Sequence, residues 1–145
     1  MKYIVDIVVD KQRQEVVALF DDSEKLKEWM EGLLSFDHIS GEPGEIGAKS
    51  KLVFKMGSSD IEMKETITVK NLPDEFGATY EADGVFNTIL NRFSEDGVQQ
   101  TRMTQECEFV FTSFMMKCMG FFVPGMFKKQ SKKNLESFKA FAEGQ

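Results

Sequence analysis

Histidine, cysteine and tryptophan are nearly absent from this chain: one His, two Cys and one Trp in 145 residues. A lone histidine, His38, excludes most His-based catalytic arrangements, which need a partner to orient the ring. Cys107 and Cys118 form no CxxC pair, so neither a disulfide framework nor a zinc site is expected. Basic charge is in the minority, and the net charge is -6. A general nucleic-acid binder needs a basic face to offset phosphates, so that class is disfavoured. No apolar run approaches the ~18 residues a membrane-spanning helix needs. The longest candidate, Cys118–Phe127, is interrupted by Gly120, Pro124 and Gly125. The opening MKYIVDIVVD carries Asp6 and Asp10 within its apolar run and has no small-residue cleavage site, so it does not read as a signal peptide. GEPGEIG is an acidic turn without the Lys-Ser/Thr of a phosphate loop. These absences point to one domain over residues 1–145, in a reducing cytoplasm, with no cofactor and no metal.

What remains is an ordinary globular composition, 41% apolar and 29% charged, long enough to bury a substantial core. Tyr3, Val5, Ile7 and Val9 alternate with polar neighbours, which predicts a strand over 2–9. Asp10 is placed to cap a helix through KQRQEVVALF, and DDS to cap a second short helix, EKLKEWMEG, ended by Gly32. Strands are then expected over Leu34–Ser40, Lys49–Met56, Ile61–Lys70, Ala78–Ala82, Val85–Ser94 and Gln100–Phe111, separated by glycine- and proline-marked turns. The last third reads as helical: Ser113–Met119, a break near Gly120 to Gly125, then Met126–Ala142. Six consecutive strands with short turns make an antiparallel meander, and the long terminal helix must bury its apolar stripe on the sheet.

Alternation assigns the strand faces. Ser50, Leu52, Phe54 and Met56 share the inward side, with Lys49, Lys51 and Lys55 outside. Ile61, Met63, Glu65, Ile67 and Val69 share the next inward row, where Glu65 is the exception among apolar residues. Met103, Gln105, Cys107, Phe109 and Phe111 form the last. The strand from Val85 is ambiguous, because Phe86 and Leu90 oppose Val85, Asn87, Ile89, Asn91 and Phe93. Four polar groups then face inward: Glu65, Asn87, Asn91 and Gln105, with the Tyr80 hydroxyl placed to join them. Either they orient the polar head of a ligand or they hydrogen-bond one another. Glu65 is the acid–base candidate, because burial raises a carboxyl pKa towards neutrality. Trp29 is expected to pack the second helix onto the sheet, and KKQSKK to form the wet face of the terminal helix.

The opening YIVDIVVDKQRQEVVALFDDSEKLKEWMEG, the glycine-punctuated SGEPGEIGAKSKLVF and the ending FKKQSKKNLESFKAFAE resemble the SRPBCC family, the START-like and Bet v 1-like superfamily, over essentially the whole chain. The likeness is nearest to small bacterial members of polyketide cyclase or lipid-transport type. It implies an α+β helix-grip fold: a seven-stranded antiparallel sheet wrapped around a long C-terminal helix, two short helices after strand 1, and a hydrophobic cavity between sheet and helix. The chain departs from the family where Ala-Pro often precedes the first helix; here Asp10 and Lys11 stand.

Ten of the nineteen residues from Phe109 to Phe127 are Phe or Met. Met is flexible and suits varied apolar partners, and Pro124 bends or ends a helix. With the placement implied by the fold, FMMKCMGFFVPGMF reads as an adjustable gate over the cavity; the alternatives are plain core and a dimer contact. The expected lining comprises Leu52, Phe54, Met56, Met63, Glu65, Tyr80, Asn87, Asn91, Met103, Gln105 and Phe109 from the strands, and Met115, Met119, Phe122 and Phe127 from this segment. The first functional expectation is binding, and transport, of a hydrophobic small molecule such as a lipid, quinone or polyketide, by a monomer or homodimer touching membranes at most transiently. A cyclase- or hydrolase-type enzyme using Glu65 and Tyr80, and a protein-interaction module, are the alternatives; a buried Glu65 beside another titratable group would favour the enzyme.

Overall fold

The structure is a computed structural model that describes residues 1–114 and 124–145. Strand β1 (Lys2–Val9) leads into helix α1 (Arg13–Phe20), a 3-10 turn (Ser23–Lys25) and the single-turn helix α2 (Leu26–Trp29). Six strands follow: β2 (Leu33–Ser40), β3 (Lys49–Met56), β4 (Ser59–Asn71), β5 (Glu75–Ala82), β6 (Val85–Glu95) and β7 (Thr101–Phe111). Helix α3 (Pro124–Glu143) closes the chain. All strands join one antiparallel sheet in the order β1-β7-β6-β5-β4-β3-β2, so the meander runs from β2 to β7 and β1 pairs with the last strand. This is the expected seven-stranded sheet with a long terminal helix.

Several boundaries move for identifiable reasons. Asp10 does not cap α1: that helix starts after Gln12, which makes no side-chain cap, while the Asp10 backbone N–H donates to Glu143 Oε2 at 2.7 Å. Asp22 does cap, accepting from Glu24 N at 3.1 Å, but it starts the 3-10 turn that takes up the first two residues of the expected second helix. Gly32 lies beyond that helix, with φ 83° in the turn to β2, a conformation open to glycine at no steric cost. Strand β5 begins at Glu75, earlier than alternation suggested, because a bulge between Ile67 and Val69 lets Val69 pair with Gly77.

The core occupies one end of the sheet. Val9, Val16, Leu52, Phe93, Met103 and Phe138 are almost fully buried there, beneath α1 and α2. Phe20 is the hub, with its ring centroid 5.2 Å from Phe93 and 5.6 Å from both Trp29 and Phe138. Trp29 thus packs, as expected. Helix α3 lies along β1, where Lys132 and Lys139 donate to the Asp6 and Val8 carbonyls at the sheet's free edge. An uncovered strand edge exposes unpaired backbone groups, and α3 covers this one. The outer face carries cross-strand ion pairs such as Lys64–Glu81 at 3.3 Å and Arg92–Glu106 at 2.8 Å.

Candidate functional site

Strand pairing settles which side chains meet. Ser50 stands opposite Glu65, Glu65 opposite Tyr80, Tyr80 opposite Asn87 and Asn87 opposite Phe109. Directly opposed residues project to the same face with Cβ atoms about 5 Å apart. The register therefore lays one polar row, Ser50–Glu65–Tyr80–Asn87, across the inner face. It also removes the ambiguity of β6: Asn91 and Phe93 are buried, whereas Arg92 and Ser94 are exposed.

Within the row, Glu65 is 8% exposed. Burial raises its carboxyl pKa above the usual range, and the hydrogen bond from the Tyr80 hydroxyl pulls the other way. Burial, and then the neighbouring carboxyl, hold the Tyr80 hydroxyl well above its ordinary value, so it stays protonated. The Asn87 Oδ1 atom is buried and has no hydrogen-bond partner among the described residues; of the others, only Trp29 Nε1 shares that condition.

Asn91 and Gln105 behave differently. Gln105 Nε2 donates to Asn91 Oδ1 at 2.9 Å, and Asn91 Nδ2 donates to the Phe76 carbonyl at 3.3 Å. Two of the four inward polar groups thus satisfy each other, and Glu65 and Asn87 are left on the adjacent polar row. The chain of donors continues through residues that alternation placed inside but did not mark as functional. The Cys107 thiol donates to Gln105 Oε1 at 3.5 Å and lies 3.8 Å from Ser131 Oγ. Tyr3 Oη meets Ser131 Oγ at 2.7 Å and donates to the Phe127 carbonyl at 3.1 Å. The sequence signal for Ser131 was a hydroxyl inside the apolar stripe of α3; the signal for Tyr3 was its inward position in β1. Burial also raises the pKa values of Tyr3 and Cys107, which keeps Cys107 a thiol and a poor nucleophile at neutral pH.

The inner face is closed at one end and incompletely closed at the other. Leu52 and Met103 are buried in the core, while Phe54, Met63, Tyr80, Asn87, Phe109 and Phe127 keep accessible surface. Phe109, Phe111 and Phe127 form an aromatic wall with centroids 4.9–6.0 Å apart. Met56 does not join them: it is 56% exposed at the β3–β4 turn, where the strand has run past the interior. His38 is exposed on the edge strand, its Nε2 2.8 Å from the Gly41 carbonyl, away from the polar row. Met115, Met119 and Phe122, and with them most of the gate, lie outside the described residues. Two surface grooves, of ≈ 580 Å³ between β1 and α3 and ≈ 590 Å³ between α2 and α3, do not involve Glu65, Tyr80 or Asn87. The described residues contain no cluster of His, Cys, Asp and Glu able to hold a metal and no helix long and apolar enough to cross a membrane.

No family model and no curated protein matches the chain. Solved structures match along nearly its full length. Ara h 8.0201 superimposes with a TM-score of 0.78 at 9% identity, over 100% of this chain and 99% of that one. The Zhui aromatase/cyclase from Streptomyces sp. R1128 gives 0.79 at 10% identity, over 99% and 93%. Norcoclaurine synthase from Thalictrum flavum, in complex with dopamine and hydroxybenzaldehyde, gives 0.72 at 12% identity, over 97% and 86%. These are Bet v 1-like, or SRPBCC, proteins, and this chain has their helix-grip fold. Those neighbours include an aromatase/cyclase and a synthase, so the fold alone names no function.

Proposed function

We propose that this is a single-domain cytoplasmic protein that binds a hydrophobic small molecule between α3 and the incompletely closed end of the sheet. The observation that carries the reading is the contrast along one inner face. Phe93, Met103 and Phe138 are sealed, whereas Phe54, Met63, Phe109 and Phe127 remain accessible around a row of polar groups. Ligand sites combine apolar walls with a few placed polar groups in this way. The neighbours include one solved with two small aromatic molecules, which agrees with the reading. A neutral fluorescent probe, N-phenyl-1-naphthylamine, tests it. Saturable enhancement with micromolar affinity, weakened by Phe109→Ser, is expected. No saturable enhancement overturns the reading.

The Glu65–Tyr80 contact favours a second reading, in which the same pocket performs acid–base chemistry on its ligand, with Glu65 transferring the proton and Tyr80 holding it in place. Mass spectrometry separates the two. Ligand recovered unchanged after long incubation supports a carrier, whereas conversion that Glu65→Gln abolishes supports the enzyme.

A further inference from the structure

Asn87 is the polar group of the inner sheet face, among the described residues, left with an unmet need; the other orphaned atom, Trp29 Nε1, belongs to α2. Its neighbours in the row are the Tyr80 side chain, engaged with Glu65, and the Phe109 ring, and its buried Oδ1 accepts nothing from any described residue. An acceptor withdrawn from water without a donor is costly, and such atoms are scarce in folded proteins. A ligand that brings a donor to this atom removes the cost.

The charges around it narrow the choice. The row itself offers a carboxyl, Glu65, and a phenol, Tyr80. The flanking inward residues are the pairs Leu52–Met63 and Ala82–Val85–Phe111 on one side and the row Ile67–Ala78–Ile89–Cys107–Tyr3 on the other, and none is a Lys or Arg. From α3 the groups turned to this region are Phe127 and Ser131. On the neighbouring strands Lys51, Lys64 and Arg92 are engaged on the outer face, as in Lys51–Glu62 at 3.5 Å. A buried anion needs a cation or several converging donors. Among the described residues it would meet here an acceptor and a carboxyl.

We propose that the polar end of the ligand is a neutral hydroxyl that donates its hydrogen to Asn87 Oδ1, so that the site takes apolar alcohols and phenols and rejects carboxylate anions of the same chain length. The proposal rests on the binding reading above and adds the head-group chemistry to it. The electrostatics of Glu65 agree with it: burial already raises this carboxyl's pKa, and a second anion beside it would add repulsion where a neutral hydroxyl adds none.

Displacement of N-phenyl-1-naphthylamine at pH 8 by three molecules tests it: 1-decanol, its isomer 1-methoxynonane, which can accept but not donate, and decanoate. In the natural protein, decanol is expected to displace the probe at lower concentration than decanoate. In Asn87→Leu, which replaces the orphaned acceptor by an apolar group of similar size, the decanol-to-ether affinity ratio should fall about five- to tenfold, the worth of one hydrogen bond. Probe affinity is measured for each variant, and the alcohol-to-ether ratio, taken within one variant, is independent of any change in it. Asn87→Ala, which adds no bulk, should give the same fall in ratio if the leucine variant folds poorly. Decanoate binding as tightly as decanol, or a ratio unchanged in both variants, overturns the proposal while leaving the binding reading intact. A probe that never binds overturns both.

Discussion

Glu65 shows how one residue can set the pH behaviour of the whole chain. It occupies a strand position that in Ile67 and Met63 is apolar, and only Tyr80 compensates it. Because burial raises its folded-state pKa, the folded chain holds this proton more tightly than the unfolded chain does. The contribution to stability is therefore fully present below the ordinary carboxylate range and is lost as pH rises through the raised folded value. Glu65→Gln keeps the shape and a hydrogen-bonding group for Tyr80 but cannot ionise. The variant should match the natural protein near pH 4 and exceed it at pH 8, by about 2–4 °C in Tm for a gain near 1 kcal/mol. Thermal melts at the two pH values decide the matter. A variant less stable at pH 8 than the natural protein would mean that the ionised carboxylate is itself a paired, structural group. Cys107, Tyr3 and Ser131 carry the opposite lesson: each polar atom there has a partner, so these residues hold α3 to β1 and β7 rather than await a ligand.

At the scale of elements, α3 joins the closed and open parts of the interior. Its C-terminal half inserts Phe138, fully buried, between Phe20 and Trp29, with centroids 5.6 and 4.9 Å away. Phe138→Ala should cost about 3–5 kcal/mol, the range for truncating a buried aromatic ring. Chemical denaturation measures it, and a loss under about 1 kcal/mol would mean the site collapses around the gap. Phe127, at the other end of the same stripe, is only partly buried and belongs to the aromatic wall. The stripe itself was legible in the sequence, as were the faces of β3 up to Phe54, of β4 up to the bulge after Ile67 and of β7, because each follows a single period over that length. The face of β6 was not, since Phe86 and Leu90 give both sides apolar residues; pairing with Tyr80 and Gln105 on its two flanks fixes it. The contact of Glu65 with Tyr80 depends on the register across the β4–β5 turn and its bulge, which local pattern does not encode. Nor does it encode a pairing such as Tyr3 with Ser131, which lie 128 residues apart. Asp10 failed as a cap because α1 begins only at Arg13, with Gln12 at the cap position, so the Asp10 side chain stands two residues too early.

Across the whole molecule, the two ends of the inner face should respond differently to a ligand. Residues around Phe93, Met103 and Phe138 are sealed by α1 and α2, so their amides open only with global unfolding and a ligand elsewhere changes them through overall stability alone. Residues around Asn87, Phe109 and Phe127 keep accessible surface, and their local opening costs less. Amide hydrogen exchange with and without saturating N-phenyl-1-naphthylamine reads both. The largest slowing is expected in the Val85–Ile89 half of β6, the Cys107–Phe111 half of β7 and the first turn of α3. The Asn91–Glu95 and Thr101–Gln105 halves, in the same two strands, should slow only by the common factor that the gain in global stability sets. That internal comparison matters, because any ligand raises global stability, but only one lodged beneath the N-terminal end of α3 divides β6 and β7 in two. Slowing spread evenly along both strands would show that the probe binds elsewhere. Slowing confined to the α1–α2 end would move the site into the groove beside Trp29 and Phe141.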